Sequence, residues 1–194
     1  GQHMSKVFFV SVNTAVEPYP VYPLGMAVCS GALTEKGLDV LQFDFLTAEK
    51  SAEKLAAALK EFKPDYVCFS LRNIDNVDSF TSKDEWYLDR AKALVDIARG
   101  ICRAPVILGG PGFSIMPEEI LTHVGGDYGI KGEGERALCE LIEMLDKGEE
   151  ASCIISAAAK PLQGAEMPSP LYKKEIVDFY LEESGIMNLQ TKRG

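Results

Sequence analysis

An open α/β domain built on a parallel sheet is the architecture expected of this chain. Short apolar runs of strand length alternate with segments whose apolar residues recur at helical spacing. Loops bearing glycine and proline separate them. This β-α-β rhythm implies a doubly wound sheet with helices on both faces, and strand order 2-1-3-4-5 is the common choice for five such units. In these sheets ligands sit beyond the carboxyl ends of the strands. The loops after strands one, three, four and five are therefore where function is expected.

The elements follow in order. Val7–Val12 is a continuous apolar run, as a buried parallel strand requires. Pro23 can open a helix because its missing N–H is not needed there. Leu24, Ala27, Val28, Gly31 and Ala32 then share one face, and Gly37 can end the helix. Leu38–Phe43 reads as the second strand. Ser51 can cap a helix whose apolar stripe is Leu55, Ala58, Leu59 and Phe62. Tyr66–Ser70 is the third strand, followed by a polar connection and a helix near Glu85–Arg99. Pro105–Leu108 is the fourth strand, and Pro117 opens a short helix reaching Val124. Asp127–Ile130, a helix over Glu133–Leu145 and a last strand at Cys153–Ala157 complete the domain. Lys160–Ser169 reads as a linker, and a further helix is expected over Lys173–Glu183.

Composition narrows the function. Among 194 residues, 20 are basic and 29 acidic, a net charge of −9. That balance argues against nucleic acid or an anionic membrane as partner. No apolar run approaches the ~20 residues of a membrane helix. Gly1-Gln2-His3 has the look of a tag remnant before Met4, which leaves His123 as the one native histidine. Cys29, Cys68, Cys102, Cys139 and Cys153 are scattered without a C-x-x-C pair. They read as reduced thiols of a cytoplasmic protein, with no metal or cluster held among them. With one histidine no Ser/His/Asp set can be proposed, so the chain reads as a binding module and not as a self-contained catalyst.

Four loops carry the candidates. The first contains Asn13, Thr14, Tyr19, Tyr22 and Gly25, stiffened by Pro18, Pro20 and Pro23. Its tyrosines offer flat amphipathic surfaces suited to a large planar ligand or another domain. The loop after strand three offers Ser70, Leu71, Arg72, Asn73 and Asp75, a set able to bind amide or phosphate groups or simply to close a turn. After strand four come Gly109, Gly110, Gly112, Phe113 and Ser114, where glycines let a ligand approach the backbone. After strand five come Gly132, Glu133 and Gly134. The glycines form no G-x-G-x-x-G after strand one, so a dinucleotide fingerprint is absent.

In that order, the segments Asn13-Thr14 with Pro18–Gly25, Ser70–Asn76, Leu108–Glu119 and Gly132–Glu135 resemble the N-terminal half of B12-binding/radical SAM proteins, particularly the lipid-biosynthesis-type group. The likeness covers nearly the whole chain. Asn188–Gly194 resembles the first strand of a radical SAM barrel, just before the family's C-x-x-x-C-x-x-C motif. The resemblance implies a flavodoxin-like domain over residues 4–159 that carries cobalamin, a linker over 160–187 and the start of a catalytic domain at 188–194. The [4Fe–4S] cluster and S-adenosylmethionine would belong to that C-terminal domain, the partner of this one. The small-molecule substrate would be lipid-like or otherwise, and methyl transfer or related radical chemistry is the implied reaction.

The resemblance also assigns residues. The corrin would lie over the strand ends, with its nucleotide tail in a slot beside the sheet. Ser70 and Leu71 match the family's position beside the tail, and Gly109 and Gly110 its glycine pair. A side chain at Gly110 is expected to obstruct the slot without unfolding the domain. Many cobalamin domains carry Asp-x-His-x-x-Gly after strand one; with Gly25 on the final glycine, Pro20 and Tyr22 replace the aspartate and the cobalt-ligating histidine. The implied state is histidine-off, with Tyr22 beneath the ring. A cofactor-free scaffold of the same fold, and a flavin-binding flavodoxin-like domain, are the alternatives.

Overall fold

The computed structural model describes residues 4–12, 24–46, 48–72, 82–157 and 170–184. Six parallel strands form one sheet in the order β2-β1-β3-β4-β5-β6. They are β1 (Lys6–Ser11), β2 (Asp39–Asp44), β3 (Tyr66–Ser70), β4 (Val106–Gly109), β5 (Tyr128–Lys131) and β6 (Ile154–Ser156). The expected order holds for the first five, and β6 extends it by pairing with β5. Strand order reverses at β1, whose neighbours are β2 and β3.

The helices are α1 (Leu24–Glu35), α2 (Ala52–Phe62), α3 (Ser82–Ile101), α4 (Pro117–Val124), α5 (Glu135–Asp146) and α6 (Lys174–Ser184). Ser51 caps α2 through its side chain, which accepts from the Lys54 N–H, as its position before the stripe predicts. Pro117 opens α4, and Gly125 ends it in the left-handed region. The buried face of α1 is shifted from its predicted stripe: Met26, Ala27, Ser30 and Leu33 are fully enclosed, while Val28 and Ala32 are only partly buried. The reason is its position, with the sheet beneath it and α5 and α6 in the same apolar cluster.

Strand alternation divides the core in two. Phe8, Val10, Val67, Phe69, Val106 and Leu108 face α2, α3 and α4. Val7, Phe9, Tyr66, Cys68, Ile107 and Ile130 face α1, α5 and α6. Of the linker expected over 160–187, residues 170–184 are described and carry α6; residues 160–169 and the segment resembling a barrel strand lie outside the described residues.

Candidate functional site

The register of the strands aligns one row of residues at the carboxyl rim. Asp44 pairs with Ser11, Ser11 with Ser70, and Ser70 with Gly109. By alternation this row projects on the α1/α5 side, in phase with Phe9, Cys68 and Ile107 one step below. Serine, serine and glycine replace the large side chains that fill the rest of that face. A cleft opens where they stop, with a volume of about 960 Å³. Its floor is Phe9, Cys68 and Ile107; α1 supplies Val28 and Cys29 to one wall, and α5 supplies Glu135 and Leu138.

Much of the predicted set meets there. Gly25, Ser70, Leu71, Arg72, Gly109, Gly110, Ser114, Gly132, Glu133 and Gly134 all line the cleft. Asn13, Thr14, Tyr19, Tyr22, Asn73 and Asp75 lie outside the described residues. Gly112 and Phe113 are placed elsewhere. Phe113 is fully buried and belongs to the α2/α3/α4 core. A Cβ on Gly129 would overlap its ring, so that glycine makes its seat. A Cβ on Gly112 would overlap the Arg72 carbonyl, so Gly112 serves the close packing of two loops.

The glycine pair splits into two roles. Gly109 points into the cleft, and a Cβ there would find its nearest neighbour, the Ile130 carbonyl oxygen, at 3.9 Å. Gly110 has φ +96°, and an added Cβ would meet the Leu71 carbonyl oxygen, with Leu71 N at 2.8 Å and Ser70 Oγ at 2.9 Å. Its glycine is demanded by the backbone. A side chain at Gly110 would therefore carry a folding cost beyond the expected obstruction of the slot. Gly109 is the position where a side chain obstructs the cleft alone.

The rim is braced by hydrogen bonds. The Ser114 hydroxyl accepts from Gly132 N at 2.9 Å and donates to the Gly110 carbonyl at 3.3 Å, tying the loop after β4 to the loop after β5. Tyr87 of α3 donates to the Val12 carbonyl at 2.7 Å and accepts from Arg72 N at 2.9 Å. The Arg72 guanidinium lies over the Tyr87 ring at 4.5 Å from its centroid. Burial pushes the Tyr87 phenol up, opposed by the Arg72 backbone hydrogen bond and charge, so it remains a donor.

The cleft thiols are protonated. Burial, with the nearby Glu135 carboxylate, pushes Cys29 up to about 12, and burial pushes Cys68 up as well. Neither is a thiolate ligand near pH 7. No group of three or more His, Cys, Asp or Glu residues able to hold a metal ion occurs among the described residues. His123 ends α4, which runs back from the carboxyl rim on the opposite face, and its Nε2 pairs with Asp89 of α3 at 2.8 Å. Sequence reasoning missed Ser11, Val28, Cys29, Cys68, Glu135 and Leu138. Ser11 was detectable as a polar residue directly after the apolar residues Val7, Phe8, Phe9 and Val10 of β1.

Comparison with known proteins agrees with this geometry. A family model described as "B12 binding domain" matches residues 10–142. Tryptophan 2-C-methyltransferase of Streptomyces laurentii is 31% identical over 136 residues, covering 70% of this chain and 22% of that protein. Hopanoid C-3 methylase of Methylococcus capsulatus is 29% identical over 149 residues, covering 74% of this chain and 25% of that protein. The chain thus spans about a quarter of these relatives or less. The radical S-adenosylmethionine methyltransferase TsrM from Kitasatospora setae, solved with cobalamin and a [4Fe-4S] cluster bound, superposes with TM-score 0.68 at 30% identity, covering 76% of this chain and 26% of that one. The cobalamin-dependent radical enzyme OxsB, at 20% identity and TM-score 0.54, shares the fold. The match over residues 10–142, on a sheet with this order and this rim, makes the chain a member of the B12-binding domain family.

Proposed function

We propose that the cleft on the α1/α5 face holds cobalamin, and that this domain presents it to a C-terminal radical SAM domain of the same protein. The observation that carries the reading is the row Ser11, Ser70, Gly109, which leaves an open slot at the strand ends beside an apolar floor. A cleft of about 960 Å³ lies at the upper end of small-ligand sites, and it continues onto the open rim where a ligand larger than the slot can extend. Phe9, Ile107, Val28 and Leu138 would hold an apolar group by burial. Ser11 and Ser70 at the rim carry hydroxyls able to donate to phosphate or amide oxygens. Gly109 lets the ligand reach the backbone. When bound, cobalamin supplies one-carbon transfer chemistry through its cobalt. The residues of this chain bind and orient it, and the walls exclude water from the buried part.

The sequence and the placement of His123 support a ligand state. His123 faces Asp89 on the far side of the sheet. Pro20 and Tyr22 stand where the histidine motif would be, and a phenol protonated near pH 7 is a poor cobalt ligand. These residues would hold cobalamin without a histidine ligand. Methyl transfer is the reaction class supported by the names of the relatives, and a lipid-like substrate by the hopanoid methylase among them.

Gel filtration of the chain after incubation with hydroxocobalamin tests the binding. One equivalent co-eluting is expected; none co-eluting contradicts the reading and favours a cofactor-free scaffold. Electron paramagnetic resonance of the cob(II)alamin form tests the ligand state. Nitrogen superhyperfine splitting from an axial ligand would contradict it, and a Tyr22→His variant that acquires such splitting would support the placement of Tyr22.

A further inference from the structure

The segment after the linker returns to the sheet and grips the cleft wall from behind. Leu171 N donates to the Ala27 carbonyl of α1 at 2.9 Å. Gln42 Nε2 donates to the Leu171 carbonyl at 2.7 Å, and Lys173 Nζ donates to the Gln42 carbonyl at 3.1 Å. Ile176 and Tyr180 are the buried residues of α6 among those described, and they share one apolar cluster with Met26, Ala27 and Leu33 of α1. The Tyr180 hydroxyl donates to Asp44 Oδ2 at 2.6 Å in the buried interior. Asp44 is the β2 member of the rim row that continues through Ser11, Ser70 and Gly109. One end of that row is thus capped by α6, and the rest opens as the cleft.

Helix α1 stands between the two. Its Ala27 side meets the segment 171–180, and its Val28 and Cys29 line the cleft. The spacing between α1 and α5 across the cleft is therefore held from outside the cleft. The Tyr180–Asp44 hydrogen bond, 2.6 Å and buried, is the shortest of these ties.

We propose that Tyr180 and Asp44 are positioning residues: their hydrogen bond seats α6 as a strap that holds α1 in place as the wall of the cleft. The strap also links cleft occupancy to whatever follows α6 in the chain. That link rests on the reading of the cleft as a cobalamin site and of the C-terminal part as catalytic. The holding of α1 does not. Linkage makes the effect reciprocal: if seating α6 favours the occupied cleft, occupancy must favour seated α6.

Hydrogen exchange on the 194-residue chain measures both halves, because protected amides report the population of the open state even when it is rare. Tyr180→Phe keeps the ring and removes the donor. It is expected to speed exchange over Met26–Thr34 by about tenfold while α5 changes little, the factor corresponding to one buried hydrogen bond. Tyr66→Phe is the control. It removes a bond of the same kind, Tyr66 to Asp146 at 2.6 Å, from the same core at the amino end of the strands. It should leave α1 within about twofold of the parent. Lys173→Met, which removes the tie to the Gln42 carbonyl and keeps Tyr180, should move α1 in the same direction by less, and it serves if Tyr180→Phe does not fold. Equal acceleration of α1 by Tyr180→Phe and Tyr66→Phe, or no acceleration by either Tyr180→Phe or Lys173→Met, overturns the strap. Added hydroxocobalamin should slow exchange across α6, although α6 does not line the cleft. Binding without that protection overturns the link. A chain that binds no hydroxocobalamin overturns the cobalamin reading instead, and α1 exchange in the ligand-free variants still decides the strap.

Discussion

The two faces of the sheet end differently at the same rim. Toward α2, α3 and α4, the strands finish in Val12, Leu71 and Leu108, with Phe113 and Tyr87 closing the top; all five are buried to within 1% exposure. Toward α1 and α5, the same strands finish in Ser11, Ser70 and Gly109, and the space above Phe9, Cys68 and Ile107 stays open. One sheet therefore carries a sealed face and a receptive face, one residue out of phase. The difference lies in the residues at the strand ends and in what covers them: large apolar side chains under Phe113 and Tyr87 on one face, serine and glycine on the other. A binding cleft in this fold is made by withholding core residues at one rim, and the stability that they would have contributed must come from the other face.

The largest effect should come from breaking the sealed face. Phe113→Ala is expected to cost about 3–5 kcal/mol in denaturant-measured stability, because the cavity lies under Gly129 and cannot fill with water-compatible groups. Gly110→Leu should cost about 2 kcal/mol or more, since it combines a positive φ with contact against the Leu71 backbone. A thermal melt checks both, and a Gly110→Leu chain as stable as the parent would contradict the assignment of that glycine to the backbone. Gly109→Leu sharpens the comparison from the receptive side. Its side chain enters open space, so stability should change by less than about 1 kcal/mol while the cleft fills.

The smallest effect concerns the thiols of the α1/α5 face. Cys29 has an ordinary value of 9.0 and is pushed up to about 12 in the folded chain, and Cys139 is pushed up to about 11, both mainly by burial. An acid with a raised folded value stays neutral while the unfolded chain ionises. The stability that it contributes is therefore complete below about pH 9 and is lost as pH rises from there toward 12. Cys29→Ala should flatten the fall in stability between pH 9 and 11, and an unchanged slope would contradict the burial of that thiol.

Much of this was legible in the residues, for identifiable reasons. The strands are short apolar runs bounded by turn chemistry, and Ser51, Pro117 and Gly37 stand at or beside helix ends that the structure confirms. The doubly wound order followed from the alternation of elements. The loops after β3, β4 and β5 were placed at the cleft because fold rules put ligands at the strand ends. What escaped was the direction of individual side chains. Phe113 sits within a glycine-rich loop that reads as ligand-facing, yet a neighbouring strand leaves Gly129 beneath it and it turns into the core. Gly109 and Gly110 look equivalent as a pair, and only the backbone angle separates them. The wall residues Cys29 and Leu138 come from helices whose apolar stripes look like ordinary core, since nothing local marks the part of a stripe that faces a cleft. The tie between Tyr180 and Asp44 spans 136 positions and carries no signal in either segment.

Equilibrium titration of hydroxocobalamin into three chains, followed by absorbance, tests the central claim most directly. The parent should bind one equivalent. Gly109→Leu, folded by circular dichroism, should bind at least about 30-fold more weakly, since a leucine in the slot must be displaced or overpacked. Phe113→Leu, which perturbs only the sealed face, should bind within about twofold of the parent. Parent-like affinity in folded Gly109→Leu, or an equal loss in folded Phe113→Leu, would show that the ligand does not sit on the receptive face.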